Sequence, residues 1–386
     1  MILAAVLATS MLRQGTVEVP FRLGESAIIV DATLNGRTLS FMFDTGFGGA
    51  FVVDRKVNLG KASGAMTLRD FVGEFQAETV KLNSVKLGSK DVDATDMEAV
   101  MQPADYSFSY NTHCDGIMGF STIKGSVTEI NFQNKKFIFH PATVDISKRI
   151  PDNKKTFLLK MLPIGHSAVQ LEVAGPTGKK MVLTLDTGNA FFATTHRDVL
   201  ERTGLWPADR KPAFVHSSFV ASGPVDSWSK KLDNMTIFGV PVPSSYWDII
   251  DLPSGSAESD GTVGFGFLKN FNIIIDYDRR RVWLENWTGD VANKPEGNPG
   301  ISAAFDERQG RVRVYKVTPG SPAEAAGVLA GDSILSINGN EVAGSMGPRE
   351  IGALIEGEVG SKVTVVLSRQ GQVIRLELER KALVND

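Results

Sequence analysis

The acidic side chains best suited to chemistry in this sequence lie in two identical triplets, Asp44-Thr45-Gly46 and Asp186-Thr187-Gly188. Each triplet follows a strand-like apolar run, and an Asp at the end of a buried strand is costly unless its carboxylate accepts hydrogen bonds. The glycine lets backbone N–H groups approach that carboxylate. One such triplet is more often a plain turn. Two copies could bring two carboxyl groups together to share one proton, which would give an acid and a base in one site.

The triplets belong to an internal repeat of about 130 residues, an ordinary domain size. A turn glycine precedes each Asp by eight residues, Gly36 in the first copy and Gly178 in the second. Downstream, DGIMGF begins at Asp115 and DGTVGF at Asp260, which are 71 and 74 residues after the triplet Asp. Alternating apolar runs between Gly, Asn and Asp turns predict strands throughout. The sequence therefore predicts a mainly β chain with a duplicated unit.

Composition excludes several classes of function. The 386 residues include 41 Lys+Arg against 44 Asp+Glu, and this balance argues against a nucleic-acid partner, which needs a basic excess. The only cysteine, Cys114, excludes an intramolecular disulfide, and five scattered histidines show no metal-ligand spacing. No G-x-S-x-G motif marks a serine nucleophile. We therefore expect no metal and no cofactor.

The C-terminal part has a different pattern. RVRVYKV alternates as a strand at 311–317, GSPAEAAGV reads as a turn and a short helix, and PREIGALIEG has helical apolar spacing. The stretch at 288–300 is rich in Pro, Gly and Asn and cannot sustain periodic structure. A small separate module is expected after it.

The repeated part resembles the retropepsin-like and pepsin-like aspartic peptidases, through FMFDTG, LTLDTG and the two Asp-Gly segments. In layout the chain is similar to bacterial aspartyl proteases that carry a C-terminal PDZ domain. The resemblance implies a bilobal aspartic-peptidase fold and a catalytic Asp from each lobe, Asp44 and Asp186. It also implies that Thr45 and Thr187 brace the catalytic turns, with Gly46 and Gly188 beside them.

That resemblance makes the expected function an aspartic endopeptidase, in which the Asp44/Asp186 dyad activates a water. Its PDZ domain would recruit or position a protein substrate in extended conformation. The segment GSPAEAAGVLAGDSILSINGNEV carries the PDZ resemblance. A peptide C-terminus is expected between the 311–317 strand and the 348–356 helix, with the backbone N–H groups of Gly300 and Ile301 capturing its carboxylate.

The predicted domain boundaries follow from the repeat and the two polar stretches: 1–14 as a possible signal-peptide remnant, 15–150 as lobe 1, 151–287 as lobe 2, 288–299 as a linker, and 300–386 as the PDZ domain. The uncharged first twelve residues match the apolar part of an export signal. An exported, periplasmic or envelope-associated protein is therefore expected. Since both Asp residues come from one chain, a monomer is expected too.

Two departures from the family pattern keep an alternative open. Phe47 and Asn189 follow the triplets, where the family usually has Ser or Ala. A bulky Phe47 could narrow the cleft, so the alternative is a catalytically inactive peptide-binding protein that uses the same cleft and PDZ groove. A third hypothesis is a PDZ scaffold, which leaves both triplets unexplained. Hairpins at Gly73 and Gly223 are candidate flaps over the cleft, since both lie between a triplet and its downstream Asp-Gly segment.

Overall fold

The structure is a computed structural model. It describes residues 15–69, 74–102, 114–162, 168–220, 223–254, 259–306, 308–342, 346 and 348–386. The possible signal-peptide remnant at 1–14 and the flap candidate Gly73 lie outside the described residues. Strands dominate the described chain, which confirms the prediction of a mainly β protein.

The first repeat is built from short strands and two 3₁₀ turns. β8 and β13 alternate in burial, so that one face of each is buried, whereas β5 and β10 have consecutive buried residues. The elements are β1 Val17–Pro20, β2 Arg22–Leu23, β3 Ile28–Leu34, β4 Arg37–Asp44, β5 Phe51–Asp54, β6 Gly64–Arg69, β7 Glu74–Lys81, β8 Val85–Leu87, β9 Lys90–Val92, β10 Glu98–Gln102, β11 Gly116–Gly119, β12 Val127–Asn131 and β13 Lys136–His140, with 3₁₀ turns at Phe120–Thr122 and Ile146–Lys148.

The second repeat has longer strands and two helices. Helix α1, Arg197–Thr203, is followed by the C-cap residue Gly204, whose φ of 75° is the left-handed conformation that glycine adopts without strain. The elements are β14 Thr156–Lys160, β15 Gln170–Ala174, β16 Lys180–Leu185, β17 Ala193–His196, α1 Arg197–Thr203, β18 His216–Val220, β19 Gly223–Ile237, β20 Val240–Ile250, β21 Gly261–Val263, α2 Phe265–Leu268, β22 Phe271–Asp276 and β23 Arg281–Asn286.

The two repeats place their triplets in the same way. The strand before each triplet, β4 or β16, pairs in parallel with the strand that follows the downstream Asp-Gly, β11 or β21. Asp115 accepts a hydrogen bond from the Ser40 N–H at 2.8 Å, and Asp260 accepts one from the Val182 N–H at 2.9 Å. The downstream aspartates therefore anchor the strands that carry the triplets, which explains why they recur in the sequence.

Each triplet strand belongs to a sheet of its own repeat, and a further sheet contains strands of both repeats. Its strand order is β1-β13-β12-β22-β23-β14, and β12 of the first repeat pairs with β22 of the second. One hydrophobic core runs through both repeats, from Val19 to Leu284. The relative position of the two triplets is therefore fixed by a shared sheet and a shared core.

The C-terminal module has a core of its own, which begins at Ile301. Its strand order is β24-β25-β26-β28-β29, with β27 beside β26. The elements are β24 Ile301–Asp306, β25 Arg311–Val317, α3 Pro322–Ala325, β26 Ser333–Ile337, β27 Asn340–Glu341, α4 Pro348–Ile355, β28 Lys362–Arg369, β29 Gln372–Glu379 and β30 Val384–Asn385.

The predicted position of a bound peptide in this module needs correction. The sequence analysis places the ligand beside β25, but β25 has a strand on each side, β24 and β26. It has no open edge at which a further strand can add. The edge strands of this sheet are β24 and β29, and α4 packs beside β24. The groove therefore lies between β24 and α4.

The last strand of the chain ties the module to the second repeat. β30 pairs in parallel with β19, Ser229 opposite Val384 and Lys230 opposite Asn385. The Asn385 side chain accepts hydrogen bonds from the Ala213 and Phe214 N–H groups at 2.6 and 3.1 Å. The module is thus not the freely separable unit that the polar linker suggests.

Among the described residues, none of the helices has the length and apolar character that a membrane span requires.

Candidate functional site

The two triplets meet where β4 and β16 end. Asp44 is the last residue of β4, and Asp186 follows directly after Leu185, the last residue of β16. Both strands are buried on both faces near these ends, and Thr45 and Thr187 are buried after them, whereas Gly46 is exposed and Gly188 is half-buried. The structure brings Asp44 and Asp186 together, as the sequence analysis predicts.

Reciprocal hydrogen bonds between the threonines hold the turns against each other. The Thr45 N–H donates to Thr187 Oγ1 at 3.1 Å, and the Thr187 N–H donates to Thr45 Oγ1 at 3.0 Å. Each hydroxyl then donates across the interface, Thr45 Oγ1 to the Leu185 carbonyl at 2.7 Å and Thr187 Oγ1 to the Phe43 carbonyl at 2.8 Å. Both threonines are 0% exposed. Four buried bonds therefore cross between the repeats at one point.

The triplet glycines leave room for the opposite carboxyl groups. A Cβ on Gly46 would lie 2.6 Å from Cγ of Asp186, and a Cβ on Gly188 would lie 2.3 Å from Cγ of Asp44. Real Cβ atoms do not approach this closely. Each carboxyl group thus occupies the space where the other repeat lacks a side chain. Glycine is required here for close approach.

Backbone donors orient each carboxyl group in the same way. Asp44 Oδ1 accepts from the Gly46 and Phe47 N–H groups at 2.7 and 3.0 Å. Asp186 Oδ1 accepts from the Gly188 and Asn189 N–H groups at 2.9 and 3.1 Å. The two carboxyl groups therefore sit in equivalent nests of N–H donors.

Burial and proximity set the protonation of the pair. Burial raises the pKa of Asp186 well above its usual range, and the charge of Asp44 raises it further. Burial also raises the pKa of Asp44, against the lowering effect of the hydrogen bond with Asp186 and of the Phe47 and Gly46 N–H groups. The pair thus holds a proton at pH values where an exposed carboxyl group is ionised. A pair with one proton offers a donor and an acceptor at the same place.

The Phe47 ring packs beside the first triplet turn, against two glycines. The Phe47 N–H donates to Asp44, but the ring lies over Gly49 and Gly119, where added Cβ atoms would be 2.4 and 2.5 Å from ring carbons. The ring packs against a small cluster that includes Met42. Two glycines close in space therefore accommodate the bulky side chain.

Asn189 is engaged within the second repeat. Its Nδ2 donates to Thr194 Oγ1 at 3.0 Å and to Thr262 Oγ1 at 2.7 Å, and its Oδ1 accepts from the Phe191 N–H at 2.9 Å. These bonds tie the triplet turn to β17 and β21. Asn189 thus supports the turn through its side chain as well as through its backbone.

The remaining predicted residues lie in other elements. Gly223 opens β19, at the hairpin with β18, and its contribution as a flap stays a prediction. Gly300 lies directly before β24, and Ile301 is the first residue of β24. Their N–H groups donate to Oδ1 of Asn298, at 2.7 and 3.3 Å.

Sequence reasoning missed a polar cluster in the second repeat. Asp248 is buried, and its Oδ1 lies 3.3 Å from Nε2 of His216, while its Oδ2 lies 3.2 Å from the Ser218 hydroxyl. Ser218 also bonds Ser227 Oγ at 2.7 Å. The carboxylate stands between the serine and the histidine, whereas a nucleophilic serine needs its base within hydrogen-bond reach. The cluster is a structural network that holds β18, β19 and β20.

Removing a threonine hydroxyl should expose the strength of the bracing. We expect Thr45→Val to cost about 2 kcal/mol or more, because it leaves the Thr187 N–H and the Leu185 carbonyl buried without their partner. Thr45→Ser keeps the hydroxyl and should cost less. Urea unfolding of both variants measures the difference, and equal losses would mean that the hydroxyl bonds contribute little.

Comparison with known proteins supports the C-terminal module. A protein-family model described as PDZ domain matches residues 313–369. The predicted PDZ domain is therefore confirmed.

The curated relatives are processing proteases. Carboxy-terminal processing protease CtpA of Bacillus subtilis (strain 168) is 42% identical over 72 residues, 19% of this chain and 15% of that protein. The chloroplastic C-terminal processing peptidase of Tetradesmus obliquus is 38% identical over 73 residues, 19% of this chain and 16% of that protein. The chain thus spans about one sixth or less of the length of these relatives.

Two solved structures were compared with the fold. The photosystem II D1 C-terminal processing protease has a TM-score of 0.23 and 31% identity, covering 24% of each chain. The aspartic proteinase from Irpex lacteus has a TM-score of 0.43 and 14% identity, covering 71% of this chain and 98% of that one. Both TM-scores are below 0.5, too low to establish a common fold.

These relatives contradict the function predicted from the sequence. That prediction was an aspartic endopeptidase with a dyad-activated water and a substrate-recruiting PDZ domain, or an inactive peptide-binding protein in its place. The proteins matched by sequence are instead named as carboxy-terminal processing proteases. The paired triplets led the prediction to a peptidase class that these matches do not support, and that functional assignment is withdrawn.

Proposed function

We propose that this chain is a peptidase that processes protein substrates, and that Asp44 and Asp186 belong to its functional site. The processing proteases matched by sequence favour the reaction. The carrying observation is the reciprocal fit of Gly46 against Asp186 and of Gly188 against Asp44. Bringing two carboxyl groups together has an electrostatic cost, and two glycines here leave out the side chains that would prevent it. A purely structural turn would avoid that cost.

The two carboxyl groups of the pair differ in protonation. The raised pKa of Asp186 makes it the member that holds the proton, and Asp44 accepts the hydrogen bond from it. Thr45 and Thr187 position both groups through the crossing hydrogen bonds, and their neighbours Gly46 and Gly188 add the N–H donors.

We extend the proposal to the lobes, the oligomeric state, the peptide ligand and the location of the protein. The two repeats form two lobes, 15–150 and 151–287, and the hairpin at Gly223 is a candidate flap. One chain supplies both carboxyl groups, which suits a monomer. The PDZ groove binds a protein or peptide segment in extended conformation, with Gly300 and Ile301 at one end of it. We place the protein outside the cytoplasm, on the apolar run of its first residues.

The test is cleavage of a denatured protein pool by the wild type, Asp44→Asn and Asp186→Asn. We expect each variant to lose at least about 10³-fold in kcat/KM, because the two groups act as one unit. Asp248→Asn removes a buried carboxyl group remote from the pair and is the matched control; it should keep activity wherever it folds. Activity that survives Asp44→Asn and is stopped by a serine-reactive reagent would remove the pair from the mechanism.

A further inference from the structure

The loop that opens the PDZ groove already carries its own acceptor. Asn298 Oδ1 accepts from the Gly300 N–H at 2.7 Å and from the Ile301 N–H at 3.3 Å. Such a pair of N–H groups at the end of a groove is what captures the terminal carboxylate of a peptide. In this chain one side-chain oxygen occupies that position.

The other donors of the loop are committed too. The Gly297 N–H donates to the Gly357 carbonyl at 2.8 Å, and the Asn298 N–H donates to the Lys381 carbonyl at 2.9 Å. Pro299 has no N–H to donate. Every backbone donor from Gly297 to Ile301 is therefore absent or already bonded within the chain.

The charges around the loop do not favour an incoming anion. Asn298 Nδ2 lies 3.3 Å from Oε1 of Glu356, so a carboxylate stands next to the site. The nearest buried cation, Arg380, donates instead to the carbonyls of Ile355, Leu354 and Lys362. It is only 8% exposed. A terminal carboxylate entering here would find the N–H donors of the loop already bonded within the chain, with the Glu356 carboxylate close to Asn298.

No strand of the described residues pairs with the outer edge of β24. β24 pairs on one side with β25, α4 lies beside its other edge, and Ser302 Oγ of β24 accepts a hydrogen bond from the Ser217 N–H of β18 at 3.3 Å. An extended segment can add there by backbone pairing along the strand, without placing its own end in the loop.

We propose that this PDZ groove binds internal extended segments of proteins and does not require a free C-terminus, because Asn298 takes the place of the terminal carboxylate. The proposal is a statement about recognition and does not need the chain to be a peptidase. It refines the substrate of the proposed function: the groove would engage a processing substrate within its chain.

The experiment uses dodecapeptides selected on the full-length Asp44→Asn chain from a library displayed with free C-termini, which gives the carboxylate its best chance. Each selected peptide is made as the free acid and as the C-terminal amide, and both affinities are measured by fluorescence anisotropy. We expect acid and amide to bind within about twofold of each other, a difference of about 0.4 kcal/mol.

Variants at Asn298 then assign the cause. Asn298→Ala opens the Gly300 and Ile301 N–H groups, and the acid should then bind at least about tenfold more tightly than the amide. Asn298→Asp keeps the acceptor shape and should stay indifferent or disfavour the acid; it also serves if the alanine variant fails to fold. Asn340→Ala, in exposed β27, is the control and should behave as the parent chain.

Three results would overturn the proposal: a tenfold preference for the acid in the parent chain, no change in preference in a folded Asn298→Ala, or no peptide bound in the groove. The measurement needs no catalysis, and it is repeated on the wild type if that proves inactive. A failed peptidase assay therefore leaves this result standing, and a failed binding test leaves the carboxyl pair untouched.

Discussion

Gly188→Ala and Gly46→Ala are each expected to destabilise the protein by about 3 kcal/mol or more, because the added methyl group collides with a carboxyl group held from the other repeat. The Cβ on residue 188 would lie 2.3 Å from Cγ of Asp44 and that on residue 46 would lie 2.6 Å from Cγ of Asp186. Neither carboxyl group can retreat without breaking its bonds to backbone N–H groups.

The measurement is urea unfolding of both variants beside Gly125→Ala. Gly125 has nothing within 4 Å of an added Cβ and no positive φ, so its substitution should change stability by a few tenths of a kcal/mol. If the proposed function is right, peptidase activity should also fall by at least about 10²-fold in any folded triplet variant, since a small misplacement of a catalytic group costs that much. Gly188→Ala as stable as Gly125→Ala would show that the close approach of the carboxyl group is not real.

Local patterns in the sequence predicted the parts of the site that depend on local order. The triplets, the turn glycines and the downstream Asp-Gly segments recur at fixed spacing, and the structure places them equivalently. The helix predicted at 348–356 is present as α4, Pro348–Ile355. Its apolar spacing is a local property, which one window of sequence contains.

Local sequence patterns do not predict pairing between strands that are distant in the sequence. RVRVYKV at 311–317 reads as a strand, but only its neighbours β24 and β26 show that it is internal and that the groove lies at β24. The docking of β30 on β19 likewise joins residues more than 150 positions apart. An edge is a property of the whole sheet, and alternation along one strand does not report it.

Local sequence patterns also do not show which groups surround a given side chain in the fold. The narrowing expected from Phe47 takes no account of Gly49 and Gly119, which the fold places beneath its ring. Asn298 lies in the polar stretch at 288–300, and no local pattern shows that its oxygen accepts a hydrogen bond from the Gly300 N–H. In both positions the decisive neighbour is a group whose location only the fold determines.

Asp186→Asn is expected to make the protein more stable at neutral and alkaline pH and to leave its stability unchanged at acid pH. Burial and the charge of Asp44 raise the pKa of Asp186 well above its unfolded value. Between those two pKa values the folded state binds more protons than the unfolded state, so the stability of the wild type falls as pH rises. Each pH unit between the two pKa values removes about 1.4 kcal/mol, and asparagine, which does not ionise, should abolish that loss.

The chain contains a control of opposite sign. The pKa of Asp152 is lowered by hydrogen bonds from the Lys154, Thr156 and Lys155 N–H groups. The stability it contributes is present above its unfolded pKa and is lost as pH falls, so Asp152→Asn should lower stability at neutral pH, by an amount that begins to shrink as pH falls below the unfolded pKa. Urea unfolding between pH 3 and pH 9 compares both variants with the wild type. A stability gain for Asp186→Asn that does not grow with pH would mean that its carboxyl group is not held protonated, and the division of proton donor and acceptor between Asp186 and Asp44 would then fail.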